Sequence, residues 1–183
     1  IFPSTTILPV LFWPAYSLDF GAVRLTVQDE EIRLDEHDEI ASITLKGDPE
    51  TPGGQPEDFY SIECLQDLDD LRVLSIQNTR IRDLEPLTGL PALEAVILVN
   101  NPALYDLSPL SSLPNLQNFQ VLDSLFVDLR PVAECSNLTQ IILNDTRVQN
   151  FAPLQRLSQL RKLELVDNPH LSDLTPLSAL KGL

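Results

Sequence analysis

Few residues of this 183-residue chain could do chemistry: His37 and His170, Cys64 and Cys135, and carboxylates recurring at Asp83, Asp106, Asp128 and Asp173, with Asn150 in the same place. A histidine beside an acid and a nucleophile would point to acid–base or covalent catalysis. Neither histidine has such a partner near it in sequence. His37 falls in a column of core leucines and reads as part of a capping unit. His170 follows Asn168-Pro169 and reads as a solvated turn residue. The two cysteines lack the short spacing of a metal site or a disulfide framework. A column of aspartates could suggest calcium. Each, however, stands once per unit just ahead of a helix start, where a carboxylate accepts backbone N–H groups and favours the helix dipole. Phosphate-binding glycine loops and G-x-S-x-G elbows are missing. The reading is a non-enzymatic chain with no catalytic, cofactor-binding or metal-binding residue.

Composition narrows the partners. An apolar fraction of 43% and a charged fraction of 21% are those of a folded soluble protein. The net charge of -15 opposes nucleic acid and anionic membrane surfaces and favours a basic partner or a solvated acidic surface. Residues 1–20 are apolar, but Pro3, Pro9 and Pro14 break them up, so no membrane insertion is expected. They read as an irregular segment over the open end of the core, with a remnant of an export signal as the alternative. The absence of Met implies that the native start is missing. Localisation is left open, with export or the cell surface favoured over the cytoplasm.

The elements that position these residues come from a repeat. Units start at Leu65, Leu87, Leu110, Val132, Leu154 and Leu177, so they are 22, 23, 22, 22 and 23 residues apart. The longer units each contain an Asn-Pro, Asn101-Pro102 and Asn168-Pro169, which reads as a one-residue turn insertion. Leu74 and Ile76, Val96 and Leu98, Phe119 and Val121, Ile141 and Leu143, and Leu163 and Leu165 alternate with period two, so each pair marks a short strand with one buried face. Thr79, Asn101, Ser124, Thr146 and Asn168 follow, short polar residues suited to bonding the backbone where the chain turns. Pro86, Pro109, Pro131, Pro153 and Pro176 suit the first turn of a short helix. Leucines at three-residue spacing after them form its inward stripe. One unit cannot bury its own apolar residues, whereas stacked units share one core. Cys64 and Cys135 lie three units apart, about 14 Å at strand spacing, beyond the disulfide limit of about 7 Å, so two free thiols are expected.

The pattern LxxLxxLxxLxLxx(N/T)x(I/V)xDLxPL resembles the leucine-rich repeat of bacterial internalin-type proteins. Its most specific part is the ending Asp83-Leu84-Glu85-Pro86-Leu87, repeated as Asp173-Leu174-Thr175-Pro176-Leu177. The resemblance covers residues 65–183 and implies an α/β solenoid. A parallel sheet would form the concave face and short helical or 3₁₀ turns the convex face. It implies protein binding without naming the partner.

The register extends backwards to Leu34, His37 and Ile40, then Ile43 and Leu45, then Phe59, Ile62 and Leu65. Between Leu45 and Phe59 lies a turn-rich insertion, which reads as an inserted loop over 46–58. Upstream, Val23, Leu25 and Val27, then Ile32 and Leu34, alternate and predict a hairpin that caps the sheet edge. The expected organisation is an apolar segment and hairpin-like cap over 1–33 and a solenoid over 34–183. The last repeat is truncated, and the parent protein is expected to continue beyond Leu183.

On the other strand face, apolar Val73, Ile97, Val99, Leu122, Ile142 and Val166 stand where a water-facing sheet would be polar. With Ser75, Gln77, Gln120, Asn144 and Glu164 they form the predicted partner-binding surface. The partner is expected to be a protein. Coverage by the chain itself, or dimerisation through this face or the open C-terminal end, is the competing use. Two functional alternatives are a cytoplasmic regulatory scaffold and a targeting region of a larger protein with an enzymatic domain.

Overall fold

The computed structural model describes residues 16–20, 23–27, 31–34, 40–46 and 62–183. Nine strands occur among them: β1 Tyr16–Phe20, β2 Val23–Val27, β3 Glu31–Leu34, β4 Ile40–Lys46, β5 Val73–Gln77, β6 Ala95–Val99, β7 Asn118–Ser124, β8 Gln140–Thr146 and β9 Lys162–Val166. β3 to β9 form one sheet in chain order. β4 to β9 are parallel, each in register with the next, so Leu74, Val96, Phe119, Ile141 and Leu163 share one row. In-register stacking follows from the near-constant repeat, because each unit returns the chain to the same height. The period-two pairs are the inward rows: the four pairs from Leu74 to Leu143 are all at most 1% exposed.

β5 to β9 each have, at or just past their C-terminal end, a residue whose backbone is left-handed: Asn78, Asn100, Asp123, Asp145 and Asp167, with φ between 49° and 55°. Asparagine and aspartate tolerate this region better than other non-glycine residues, because their short side chains bond locally. The chain thereby leaves the sheet and crosses to a 3₁₀ turn on the far side. These turns are Glu63–Leu65, Glu85–Leu87, Ser108–Ser112, Ala152–Arg156 and Thr175–Ala179, and a short α-helix, α1 (Arg130–Ala133), takes the place of one. Proline opens all but the first at N1 or N2. Between sheet and turns lies one core, with Phe119, Phe126 and Phe151 its largest buried side chains. No helix among the described residues is long and apolar enough to cross a membrane.

The N-terminal units differ from the expectation. β2 pairs with β1, Tyr16 opposite Val27, and not with the strand at Ile32 and Leu34. That strand, β3, pairs antiparallel with β4, Ile32 opposite Ile43, and shifts register between Arg33 and Leu34. Leu34 and Ile40 therefore lie in strands and not in a helical stripe. The physical reason is that an antiparallel partner supplies the ladder bonds that a preceding unit would supply elsewhere, and so extends β4. Alternation identifies strands but not their partners. The β1 segment also replaces the irregular chain expected up to Phe20. His37, Phe59 and the insertion between 47 and 58 lie outside the described residues, as do residues 1–15 and the side chain of Cys64.

Candidate functional site

The outward strand residues fall into three rows. Pairing places Ser75, Ile97, Gln120, Ile142 and Glu164 in the central row, continued by Thr44. Gln77, Val99, Leu122, Asn144 and Val166 form the row nearest the strand ends, continued by Lys46. Val73, Ala95, Asn118, Gln140 and Lys162 form the row nearest the strand starts. All eleven predicted site residues thus share one face. Most are half-buried against their row neighbours, whereas Ser75 is buried at 5% and Val166 is exposed at 44%.

The polar members bond one another. Gln77 Nε2 donates to Ser75 Oγ at 2.9 Å, and Gln120 Nε2 to Asn118 Oδ1 at 3.1 Å. Asn144 Nδ2 donates to Glu164 Oε1 at 3.3 Å, and Lys162 lies 3.6 Å from the same carboxylate. Ile97, Val99, Leu122 and Ile142 are aliphatic and make no such bonds; Ile97 and Ile142 flank Gln120 on the adjacent strands, and Leu122 follows it on β7 beside Val99. The arrangement is an apolar patch with ordered polar edges, suited to burial against another surface.

Two side-chain columns hold the chain in place, one where it leaves the strands and one where it enters the turns. Asn101 Oδ1 accepts from Thr79 N at 3.2 Å and Thr79 Oγ1 at 2.6 Å, while its Nδ2 donates to Ile76 O at 2.9 Å. Asn168 repeats this with Thr146 N at 3.0 Å, Thr146 Oγ1 at 2.6 Å and Leu143 O at 2.6 Å. Each asparagine therefore stitches its unit to the one before. Between the two stitches, Ser124 Oγ is buried without a hydrogen-bond partner. In the second column, Asp83, Asp106, Asp128, Asn150 and Asp173 each accept the backbone N–H two residues on, at 2.8–3.3 Å. The column bonds the backbone N–H at the start of each turn, as expected, but from the residue before the N-cap, which is itself Leu or Phe. Bonds from Ser108 and Thr175 hold the Asp106 and Asp173 carboxyls below their ordinary range, and bonds from Arg130 do so for Asp128. Asn150 makes the same bond without charge, so geometry and not ionisation is what the position requires.

Cys135 is free and 2% exposed, in a leucine column. Burial, and then the adjacent Glu134, push its thiol up to about 11, and its Sγ donates to Leu110 O at 3.1 Å. It is a packed small hydrophobe without a reactive thiolate. His170 is exposed in its turn.

A further feature lies one residue before the column of Thr79, Asn101, Ser124, Thr146 and Asn168. The left-handed residues after the strands are Asn in two units and Asp in three, and Asp123, Asp145 and Asp167 are all exposed along the rim of the sheet. Leu125 and Val127, 44% and 55% exposed, flank buried Phe126 just beyond Asp123, and Tyr105, in the preceding unit, is 72% exposed. The signal was present in the repeating Asn/Asp that follows each outward row.

No family model and no curated protein matches the chain. Solved structures do. Internalin C2 from Listeria monocytogenes str. 4b F2365 superposes with a TM-score of 0.62 at 31% identity, over 68% of this chain and 54% of that one. An internalin (inlF) of the same strain gives a TM-score of 0.64 at 28% identity, over 69% of this chain and 36% of that one. The chain thus spans about half the length of the first and about a third of the second. A TLR13–ssRNA13 complex shares the fold alone, at 23% identity and a TM-score of 0.55 over 66% of this chain and 18% of that one. Repeat columns, strand order and these likenesses agree that the chain has the internalin-type leucine-rich-repeat fold of bacterial proteins.

Proposed function

We propose that this chain is a non-enzymatic protein-interaction module whose concave strand face holds a protein partner. The observation that carries the reading is the in-register apolar patch of Ile97, Val99, Leu122 and Ile142, set among hydrogen-bonded polar side chains. A sheet that met only water would gain nothing from aliphatic residues at these positions. Val73, Ser75, Gln77, Gln120, Asn144, Glu164 and Val166 complete the face. Net charge of -15 favours a protein over a nucleic acid here. In this reading residues 1–33 form the cap and 34–183 the solenoid.

The test is Ile97→Asp combined with Ile142→Asp. A photo-crosslinker at Gln120 identifies the bound protein in the wild type. The double variant, checked for folding by circular dichroism, is expected to lose that crosslink and all measurable affinity for the purified partner. Unchanged affinity in the folded variant rejects the concave face. A crosslink only to a second copy of the chain, with a dimer on sizing, rejects a separate partner.

A further inference from the structure

We infer that the partner element docked on this face is a basic amphipathic helix, lying across the strands along the rim formed by Asp123, Asp145 and Asp167. The inference rests on the concave-face reading and gives its partner a chemistry.

Three observations carry it. First, the left-handed backbone does not need the charge. Asn78 and Asn100 occupy the same conformation, with φ of 55° and 49°, as neutral residues. The three following units carry aspartate instead. Second, these like charges stand on adjacent strands without an ion pair among the described residues. Arg147, the base nearest in sequence, makes none there either. Like charges side by side on neighbouring strands oppose folding. A cationic ligand removes that opposition. Third, the acids border apolar side chains. Leu122 and Val166 directly precede Asp123 and Asp167 on the sheet side, and exposed Leu125 and Val127 lie beyond Asp123.

Spacing selects a helix. Strand separation of about 4.8 Å puts the outer two carboxylates about 9.6 Å from each other and about 4.8 Å from the middle one. Basic residues at i, i+3 and i+7 of a helix rise about 4.5 and 10.5 Å, close to this row. In an extended segment, one-sided residues recur every 6.8 Å or so and miss the third carboxylate by roughly 4 Å. Leucines beside the basic stripe would rest on Val99, Leu122 and Val166, as an amphipathic helix lays its apolar face into a hydrophobic groove.

The probe is a hydrocarbon-stapled helix of about 15 residues, Leu on one face and Lys at i, i+3 and i+7, with a Glu-for-Lys peptide as its counterpart. Anisotropy titrations are expected to show binding of the Lys peptide and none of the Glu peptide. Asp123→Asn with Asp145→Asn and Asp167→Asn keeps a residue the chain itself uses in this conformation. It is expected to weaken the Lys peptide about tenfold and to flatten its salt dependence. Exposed Asp67, Asp69 and Asp70, changed together to Asn, alter net charge equally and are expected to leave affinity unchanged. Equal losses in the two triple variants would reduce the effect to overall charge and overturn the inference. So would equal affinity for the Lys and Glu peptides, or no binding of either. Ile97→Asp with Ile142→Asp separates the two readings. If it abolishes Lys-peptide binding while the rim variant leaves it intact, the concave face stands and the acidic rim falls. If it leaves binding intact while the rim variant weakens it, the contact is confined to the rim and docking on the sheet face falls.

Discussion

At the scale of single residues, the solenoid depends on polar side chains that lie between units. The Thr79–Asn101 and Thr146–Asn168 stitches bracket Ser124, which is too short to reach either neighbour and keeps an unpartnered hydroxyl. Asparagine at 124 would extend the ladder through the middle of the array. Ser124→Asn is expected to stabilise the protein by about 1 kcal/mol, read as a higher urea midpoint at unchanged slope. A lower midpoint would show that the site has no room for the amide. The caps make a separate statement about pH. Asp106 and Asp173 have folded-state affinities for protons below the ordinary carboxylate value. Their contribution is present above the unfolded pKa of about 3.9 and is lost as pH falls through the lower folded value. Asp106→Asn with Asp173→Asn keeps the backbone bond, as Asn150 does, and removes the titration. Its thermal midpoint is expected to fall less than the wild type's between about pH 5 and pH 3. Cys135 is expected to stay unmodified by Ellman's reagent in native Cys64→Ser protein and to react fully in denaturant. Rapid native labelling would contradict its burial.

At the scale of the element, one strand pair and one short turn constitute a unit, and its worth lies in the neighbours it touches. Phe119 and Leu143 are fully buried and sit in rows shared with the units on both sides. Leu143→Ala is expected to cost about 2–5 kcal/mol, through lost burial and the cavity left behind. Leu165 occupies the same row in β9 but is only half-buried, so Leu165→Ala should cost distinctly less. Chemical denaturation of both variants measures the difference, and equal losses would refute the ranking. The alternation of Leu74 and Ile76 and its counterparts made every parallel strand legible in the sequence. The same alternation at Val23–Val27 was legible as a strand but not as to its partner. Pairing depends on which edge is free, a property of no single segment.

At the scale of the molecule, stability is close to a sum over units and their interfaces, because each unit meets only its neighbours. The charge of -15 works against this sum. Raising salt from about 20 mM to about 200 mM is expected to raise the thermal midpoint by screening that self-repulsion. A midpoint that falls would mean that favourable ion pairs outweigh it. The candidate face was half legible. Its apolar residues stood out by type, since Ile97 and Ile142 occupy positions where water-facing strands carry polar groups. The acidic rim was not recognised, because a left-handed aspartate looks in sequence like any loop aspartate.

The sequence by itself determined the repeat, the inward rows, the capping aspartates and the free thiol of Cys135. All four follow from residue type and from a spacing that recurs along the chain. Only the tertiary structure decided how β1 to β4 pair, that Ser124 is left without a partner, and that three carboxylates stand side by side along one rim. These depend on what lies across from a residue after stacking, and that neighbour is about 22 residues away along the chain but only about 4.8 Å away across the sheet.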